Sequence, residues 1–245
     1  HNVSAAKLYN AEADEVVERA RSCDVRMTVF SEIGAFDAAP DRPSDVDAAN
    51  ARACAAVEQF DELRFYAVLN PKRPNWQAAT DRLLEHPGCA GVKLHPRWHF
   101  WPVEEHGDEV FAFLSERNVL TLTHTGNAGN EPHRYIPFTD RHRGVRLILA
   151  HIGHSENGEF HDQIEAVKRS TQGNVWADTS SSKSTASRLI EQAVDELGAD
   201  RVLFGSDSPL YFTPMQKARI AYAQIDDDAK RKILHDNAAK LLGEC

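Results

Sequence analysis

The chain has 245 residues, of which 42% are hydrophobic and 27% are charged, an ordinary composition for a globular protein. Its formal net charge of −9 argues against a nucleic-acid partner, because phosphates favour a basic protein surface. No apolar run approaches the ~18 residues of a membrane span and we find no signal peptide, so we expect a cytoplasmic protein that does not bind membranes.

Seven short apolar segments of strand length recur along the chain. Segments this apolar are typical of strands buried on both faces, as in parallel sheets. The predicted strands cover residues 26–30, 63–69, 90–94, 119–123, 145–150, 174–177 and 201–204.

Amphipathic segments with helical spacing separate the strands and follow the last one. The predicted helices cover residues 11–23, 45–60, 76–84, 108–117, 160–168, 184–197, 214–224 and 227–242. The stretch 39–44, APDRPS, is predicted to be a loop between a strand and a helix. We expect the two closing helices to pack on the outside of the sheet. Regular alternation of strands and helices predicts an α/β fold with a parallel sheet, in a single domain over residues 1–245.

An eight-stranded (β/α)8 TIM barrel would need one more strand, before the first helix. The chain begins there with HNVS, so we expect a barrel whose first strand is truncated at the N-terminus. The cysteines, Cys23, Cys54, Cys89 and Cys245, form no C-x-x-C pair, and we expect reduced thiols.

Polar side chains stand at the ends of five successive predicted strands. They are Lys93 and His95, His124, His151, Asp178, and Asp207. In a parallel barrel these carboxyl ends share one face, which is where active sites lie. One such residue alone is more often structural, but a crowd of them costs desolvation energy unless the groups pair or bind a metal.

Several imidazoles and a carboxylate suit Zn²⁺ or a similar divalent ion. Asp207 could bind such an ion or accept a proton from its bound water. His151 could be a ligand of a second ion or a general acid or base. The residues alone leave these roles open.

Five motifs, taken in order, resemble the amidohydrolase superfamily. They are GVKLHP at 91–96, LTHTGN at 122–127, LILAHIGH at 147–154, LFGSDSP at 203–209 and ILHDNAAKLLG at 233–243. More narrowly, they are similar to the amidohydrolase-related branch that includes aminocarboxymuconate-semialdehyde decarboxylase-like proteins. The match runs across roughly the whole chain, and the combination is more specific than any single motif.

The resemblance implies a (β/α)8 barrel with a divalent metal, most often Zn²⁺. It implies that His124 and Asp207 are metal ligands and that His151 is the catalytic acid or base, with Asp207 also acting in catalysis. His1 resembles the second histidine of the H-x-H pair that ends the family's first strand, and its partner would precede it. The resemblance also implies a homodimer.

Three residues are predicted to bind a small-molecule substrate. Lys93 is expected to contact a substrate carboxylate or balance charge, in preference to a bridging carbamate. His95 is two residues further along the strand and therefore faces the same way. Arg134 could grip a carboxylate with its planar fork, and a surface salt bridge is an equal alternative. Ser180 and Ser181 are expected to serve in turns and helix caps.

We predict a metal-dependent hydrolase of a small lactone, amide or ester, in which Asp207 takes a proton from metal-bound water. The first alternative is a metal-dependent, non-oxidative decarboxylase of a small aromatic or unsaturated acid, in which the acid or base protonates carbon. The second is an inactive barrel that serves as a binding protein. The ligand set is common to both enzymes, so the sequence leaves them open.

Overall fold

Seven parallel strands form one sheet in the computed structural model, which describes residues 12–36, 44–181 and 185–243. The strands are β1 (Thr28–Phe30), β2 (Leu63–Leu69), β3 (Cys89–Leu94), β4 (Leu120–Thr123), β5 (Arg146–Leu149), β6 (Val175–Asp178) and β7 (Val202–Leu203). Each strand pairs in parallel with its neighbours in the sequence, from β1 at one edge to β7 at the other. The seven predicted strands are confirmed, and the sheet curls as part of a barrel. The additional N-terminal strand and His1 lie outside the described residues.

Helices alternate with the strands, and most of them lie on the convex face of the sheet. They are α1 (Ala13–Ser22), α2 (Val46–Val57), α3 (Trp76–Leu84), α4 (Pro96–His99), α5 (Val103–Glu116), α6 (Ile136–Arg141), α7 (Asp162–Arg169), α8 (Leu189–Leu197), α9 (Thr213–Ala221), α10 (Asp227–Arg231) and α11 (Asn237–Leu242). A π-helical turn, Lys232–Asp236, joins α10 to α11. The sequence did not predict α4 and α6, because one or two turns are too short to show helical periodicity.

Alternation along the strands separates two apolar clusters. Leu147 and Leu149 of β5 belong to the large cluster that packs against the helices. Ile148 lies between them in sequence and belongs to a second cluster with Tyr66 and Leu203. Because successive side chains of a strand point to opposite faces, this second cluster lines the concave face of the sheet.

The last helix packs against the concave cluster. Leu241 of α11 is buried in that cluster, and Ala238 and Leu242 contact it. The guanidinium Nη1 of Arg146, the first residue of β5, donates to the carbonyl of Leu241 at 2.6 Å. The expectation that both closing helices lie outside the sheet is therefore wrong for α11. Its amphipathic pattern shows that one side is buried, but not which face of the sheet buries it.

The position of α11 also determines where a site can form. It covers the end of the sheet at which the strands begin, and the opposite end is left to the polar residues that follow the strands. No helix within the described residues combines the length and the apolar character needed to cross a membrane.

Candidate active site

Lys93 of β3 is a buried cation on the concave face. It pairs with Leu122 of β4 in the strand register, and only 6% of its surface is exposed. Its ammonium forms no hydrogen bond or ion pair with any residue that the structure describes. Burial lowers its pKa to about 8, although the charges of Asp178 and Asp207 act to raise it.

Three imidazoles lie next to this lysine, and the middle one, that of His124, contacts the other two. The rings of His95 and His124 are stacked, with centroids 4.2 Å apart and planes inclined by 11°. The Nε2 atom of His151 lies 3.1 Å from Nδ1 of His124. Burial lowers the pKa of all three histidines, and the charge of Lys93 lowers each of them further. We therefore expect neutral imidazoles at pH 7.

Asp178, the last residue of β6, ties His151 to the strand beside it. Its Oδ1 accepts hydrogen bonds from the backbone N–H of His151 at 3.0 Å and of Ser180 at 2.9 Å. The Ser180 hydroxyl lies 2.5 Å from the same oxygen and 2.6 Å from Nδ1 of His151. These contacts hold His151 in a left-handed backbone conformation with φ of 75°, which is uncommon for a residue other than glycine.

Gly205, which follows β7 after one residue, makes room for Asp178 and Ser180. A Cβ atom at this position would lie 2.8 Å from Cβ of Ser180 and 3.1 Å from Cγ of Asp178. Both distances are shorter than a comfortable carbon–carbon contact. The glycine of the motif LFGSDSP is therefore required by a close approach, not by a turn.

His124 is held by the loop that follows it. Its Nε2 lies 2.6 Å from Oδ1 of Asn127. The hydroxyl of Thr125 donates to the carbonyl of Ala150 at 2.5 Å, so the residues directly after His124 and directly before His151 are joined.

A fully buried glutamine of α7 joins the same two loops. Gln163 Nε2 donates to Oγ1 of Thr125 at 3.2 Å and to the carbonyl of His154 at 2.9 Å, and its Oε1 accepts from the backbone N–H of Gly153 at 3.1 Å. His124 and His151 thus stand on loops whose separation is fixed by buried hydrogen bonds.

Asp207 follows β7 at the mouth of the sheet, with a left-handed φ of 51°. Its side chain keeps access to solvent, but the surrounding protein desolvates the carboxyl group and raises its pKa to about 6. The charge of Lys93 opposes this rise, and the charge of Asp178 adds to it. No described residue forms a hydrogen bond or an ion pair with the carboxylate.

The described residues supply only part of a metal site. Within residues 12–36, 44–181 and 185–243, no three His, Cys, Asp or Glu side chains are grouped so that they could hold a metal ion. His124 and Asp207 are two of the predicted ligands, and the third, His1, lies outside the described residues. The chemistry of the two donors suits a divalent ion, because one is an imidazole and the other a carboxylate that no described residue engages in a hydrogen bond.

Arg134 forms salt bridges with two glutamates. It lies in the turn Pro132–Tyr135, where its guanidinium contacts Glu131 and Glu104, each at 2.5 Å. These are the contacts of the surface salt-bridge alternative. A substrate contact for Arg134 stays a prediction.

Sequence reasoning assigned Ser180 to a turn or helix cap and gave no role to Asp178 or Gln163. Asp178 stood in the series of polar strand ends, and its spacing of two residues from Ser180 was the signal that both face one way. Gln163 gave no signal, because a glutamine inside a helix is ordinary.

The model of the amidohydrolase family matches residues 18–243. The sequence has no significant match among the curated proteins with which it was compared.

Three solved structures illustrate the similarity of fold. A TIM-barrel protein from Bordetella bronchiseptica is 19% identical, with a TM-score of 0.73 over 95% of this chain and 83% of its own. A dihydroxybenzoic acid decarboxylase from Polaromonas sp. JS666, with bound manganese and the inhibitor 2-nitroresorcinol, is 17% identical, with a TM-score of 0.68 over 94% of this chain and 85% of its own. The 5-carboxyvanillate decarboxylase of Sphingomonas paucimobilis is 14% identical, with a TM-score of 0.72 over 99% of this chain and 86% of its own.

At these identities the solved structures establish the fold, which is that of a TIM barrel. The family match covers most of the chain, includes all five motifs, and confirms the resemblance seen in the sequence. The chain belongs to the amidohydrolase family and is an enzyme of that superfamily.

Proposed function

We propose that the protein is a divalent-metal-dependent decarboxylase that releases carbon dioxide from a small aromatic or unsaturated acid. The observation that carries this proposal is the ammonium of Lys93, which is buried and has no partner among the described residues. A buried charge costs free energy unless an opposite charge accompanies it. The carboxylate of an acid substrate would supply that charge beside three imidazoles.

The reaction needs an anion-binding group and a proton carrier. The bond between carbon and the carboxylate breaks, carbon dioxide leaves, and the electron pair left on carbon takes up one proton. We assign the binding of the carboxylate to Lys93, with His95 beside it, and the transfer of the proton to His151. The similarity to decarboxylases of dihydroxybenzoic acid and 5-carboxyvanillate supports this assignment.

A divalent ion would be held by His124 and Asp207, with further ligands from outside the described residues, among them His1. When bound, the ion would polarise oxygen atoms of the substrate. An imidazole and a carboxylate suit both zinc, which the resemblance implies, and manganese, which the Polaromonas structure contains. Metal analysis of the purified protein distinguishes these two.

Hydrolysis of a lactone, amide or ester is the second candidate. It is favoured by Asp207, whose pKa of about 6 leaves a carboxylate at pH 7 that can accept a proton from water. The sequence placed hydrolysis first. We now place it second, because a neutral lactone or ester would bring no opposite charge to Lys93.

The test is a substrate panel with the metal-loaded protein. Dihydroxybenzoic acids, 5-carboxyvanillate and unsaturated acids are compared with lactones and esters, and the release of carbon dioxide is measured. We expect carbon dioxide from at least one acid, and in deuterated water one deuteron on the product carbon. Turnover of lactones or esters without release of carbon dioxide from any acid would overturn the proposal in favour of hydrolysis.

A further inference from the structure

The hydroxyl of Ser180 stands between two groups that compete for its proton. Its oxygen lies 2.5 Å from Oδ1 of Asp178 and 2.6 Å from Nδ1 of His151, and only 6% of the serine is exposed. A hydroxyl has one proton to donate, so it donates to one neighbour and accepts from the other. Which neighbour receives the proton determines the tautomer of His151.

The surroundings of Asp178 decide this direction. Its Oδ1 already accepts two backbone N–H groups, those of His151 and Ser180. The oxygen of Asp178 acts here as an acceptor, and the hydroxyl of Ser180 donates to it at 2.5 Å. The proton of Ser180 therefore points to Asp178, and the hydroxyl oxygen accepts from Nδ1–H of His151.

A neutral imidazole carries hydrogen on one nitrogen, so Nε2 of His151 keeps its lone pair. This nitrogen lies 3.1 Å from Nδ1 of His124. On the other side of its ring, His124 donates from Nε2–H to Oδ1 of Asn127 at 2.6 Å, and the N–H₂ group of Asn127 donates to Glu156 at 3.4 Å. Nδ1 of His124 therefore also keeps a lone pair, which is the form in which an imidazole nitrogen binds a metal.

We propose that Asp178 and Ser180 are positioning residues that fix His151 as the tautomer with hydrogen on Nδ1 and a lone pair on Nε2. The tautomer follows from the contacts of the described residues. Its use in proton transfer rests on the proposed function, and it identifies Nε2 as the atom of His151 that takes up and delivers the proton.

The experiment is long-range ¹H–¹⁵N correlation spectroscopy of protein labelled with ¹⁵N-histidine, since this distinguishes a ring nitrogen that carries hydrogen from one that does not. The signals of His151 are assigned from their loss in His151→Gln. In the wild type we expect hydrogen on Nδ1 of His151. In Ser180→Ala the hydrogen should shift largely to Nε2, where His124 can accept it.

Two further variants separate positioning from a general structural effect. Ser180→Thr keeps a hydroxyl at the same place and should retain the wild-type pattern. Ser181→Ala removes a hydroxyl from the next residue and should change nothing in the spectrum of His151. Hydrogen on Nε2 of His151 in the wild type, or an unchanged pattern in folded Ser180→Ala, would overturn the inference.

Kinetics test the link to the reaction separately. On an acid that the wild type decarboxylates, Ser180→Ala should lower kcat by about 10- to 100-fold with little change in KM, because Ser180 touches His151 and not the substrate. A loss confined to KM would contradict the positioning role. If no acid is decarboxylated while the spectra change as expected, the proposed function fails and the positioning of His151 stands.

Discussion

The imidazole of His95 lies flat against that of His124, with the ring centroids 4.2 Å apart. Nδ1 of His95 also faces the backbone N–H of Trp98, at 3.4 Å, at the start of α4. One nitrogen of His95 is thus directed at the backbone, while the face of its ring supports a predicted metal ligand. The stacking therefore gives His95 a second role. It holds His124 in place, in addition to the contact with substrate that is predicted for His95.

This arrangement predicts different effects for two substitutions of His95. His95→Ala removes the stacked ring and should weaken metal binding about tenfold, as loss of a supporting contact to a ligand does. His95→Phe keeps a flat ring and should bind the metal nearly as well as the wild type. Titration of metal-free protein with Zn²⁺ or Mn²⁺ measures this. Equal weakening in both variants would show that a nitrogen of His95, and not its ring face, is what matters.

Replacing Lys93 with an apolar residue should raise the stability of the protein and abolish its function. Lys93→Met removes a buried ammonium that no described residue pairs with and keeps an unbranched side chain in its place. We expect the free energy of unfolding of the ligand-free protein to rise by about 1–3 kcal/mol, while binding of an acid substrate is lost. Denaturant unfolding and binding of the acid that the wild type decarboxylates are the two measurements.

The control for Lys93 is a lysine in solvent. Lys240 is exposed on α11, and Lys240→Met should leave both quantities near their wild-type values. A Lys93→Met protein that is less stable than the wild type would mean that the ammonium has a stabilising partner in the folded protein.

The sequence was sufficient for the strand order, because apolar segments such as 63–69 alternate with helical patterns and each strand pairs with its sequence neighbour. It also predicted that His124 and His151 would lie on the same face, because the carboxyl ends of parallel strands share one face of a barrel. The structure added the direct contact between these two rings, which depends on loop geometry.

Several tertiary contacts could not be predicted from the sequence. The contact of Ser180 with Asp178 and His151 arises where two loops meet, and a serine after a strand is equally typical of a turn. Arg134 had the right chemistry for a carboxylate, but the glutamates that engage it come from its own turn and from α5, which is a tertiary contact. The packing of α11 on the concave face is likewise a tertiary choice.

The burial of His99 predicts how acid changes the stability of the protein. It is 4% exposed, its Nε2 lies 2.9 Å from the carbonyl of Ala35, and burial lowers its pKa below the ordinary 6.5. As pH falls below 6.5, the unfolded chain therefore takes up a proton at this position before the folded protein does. The free energy of unfolding contributed by His99 should fall with acidification, by at most about 1.4 kcal/mol per pH unit.

His99→Gln tests this directly, since glutamine can donate to the same carbonyl but does not titrate. Urea unfolding at pH 7.5 and pH 5.5 should show a smaller loss of stability in His99→Gln than in the wild type. His235 is mostly exposed beside Asp236, and His235→Gln serves as the matched control for the same substitution at the surface. An identical loss in His99→Gln and the wild type would mean that His99 takes up its proton equally readily in both states.

Replacing Gly205 with alanine should disturb the site by steric overlap alone. In Gly205→Ala the new methyl group would meet Ser180 at 2.8 Å and Asp178 at 3.1 Å, both of them buried. Because neither side chain can move without breaking its hydrogen bonds to His151, we expect a loss of about 1–3 kcal/mol in the free energy of unfolding. The variant should also disturb the His151 signals in the ¹H–¹⁵N spectrum.

The control for Gly205→Ala is Ser206→Ala, which changes the next residue. The Ser206 hydroxyl accepts a 3.3 Å hydrogen bond from the backbone N–H of Ser208, and its removal should leave stability and the spectrum nearly unchanged. A Gly205→Ala protein as stable as the wild type, with unaltered His151 signals, would show that the loops after β6 and β7 can separate without cost, and the close approach would then not be what requires glycine at this position.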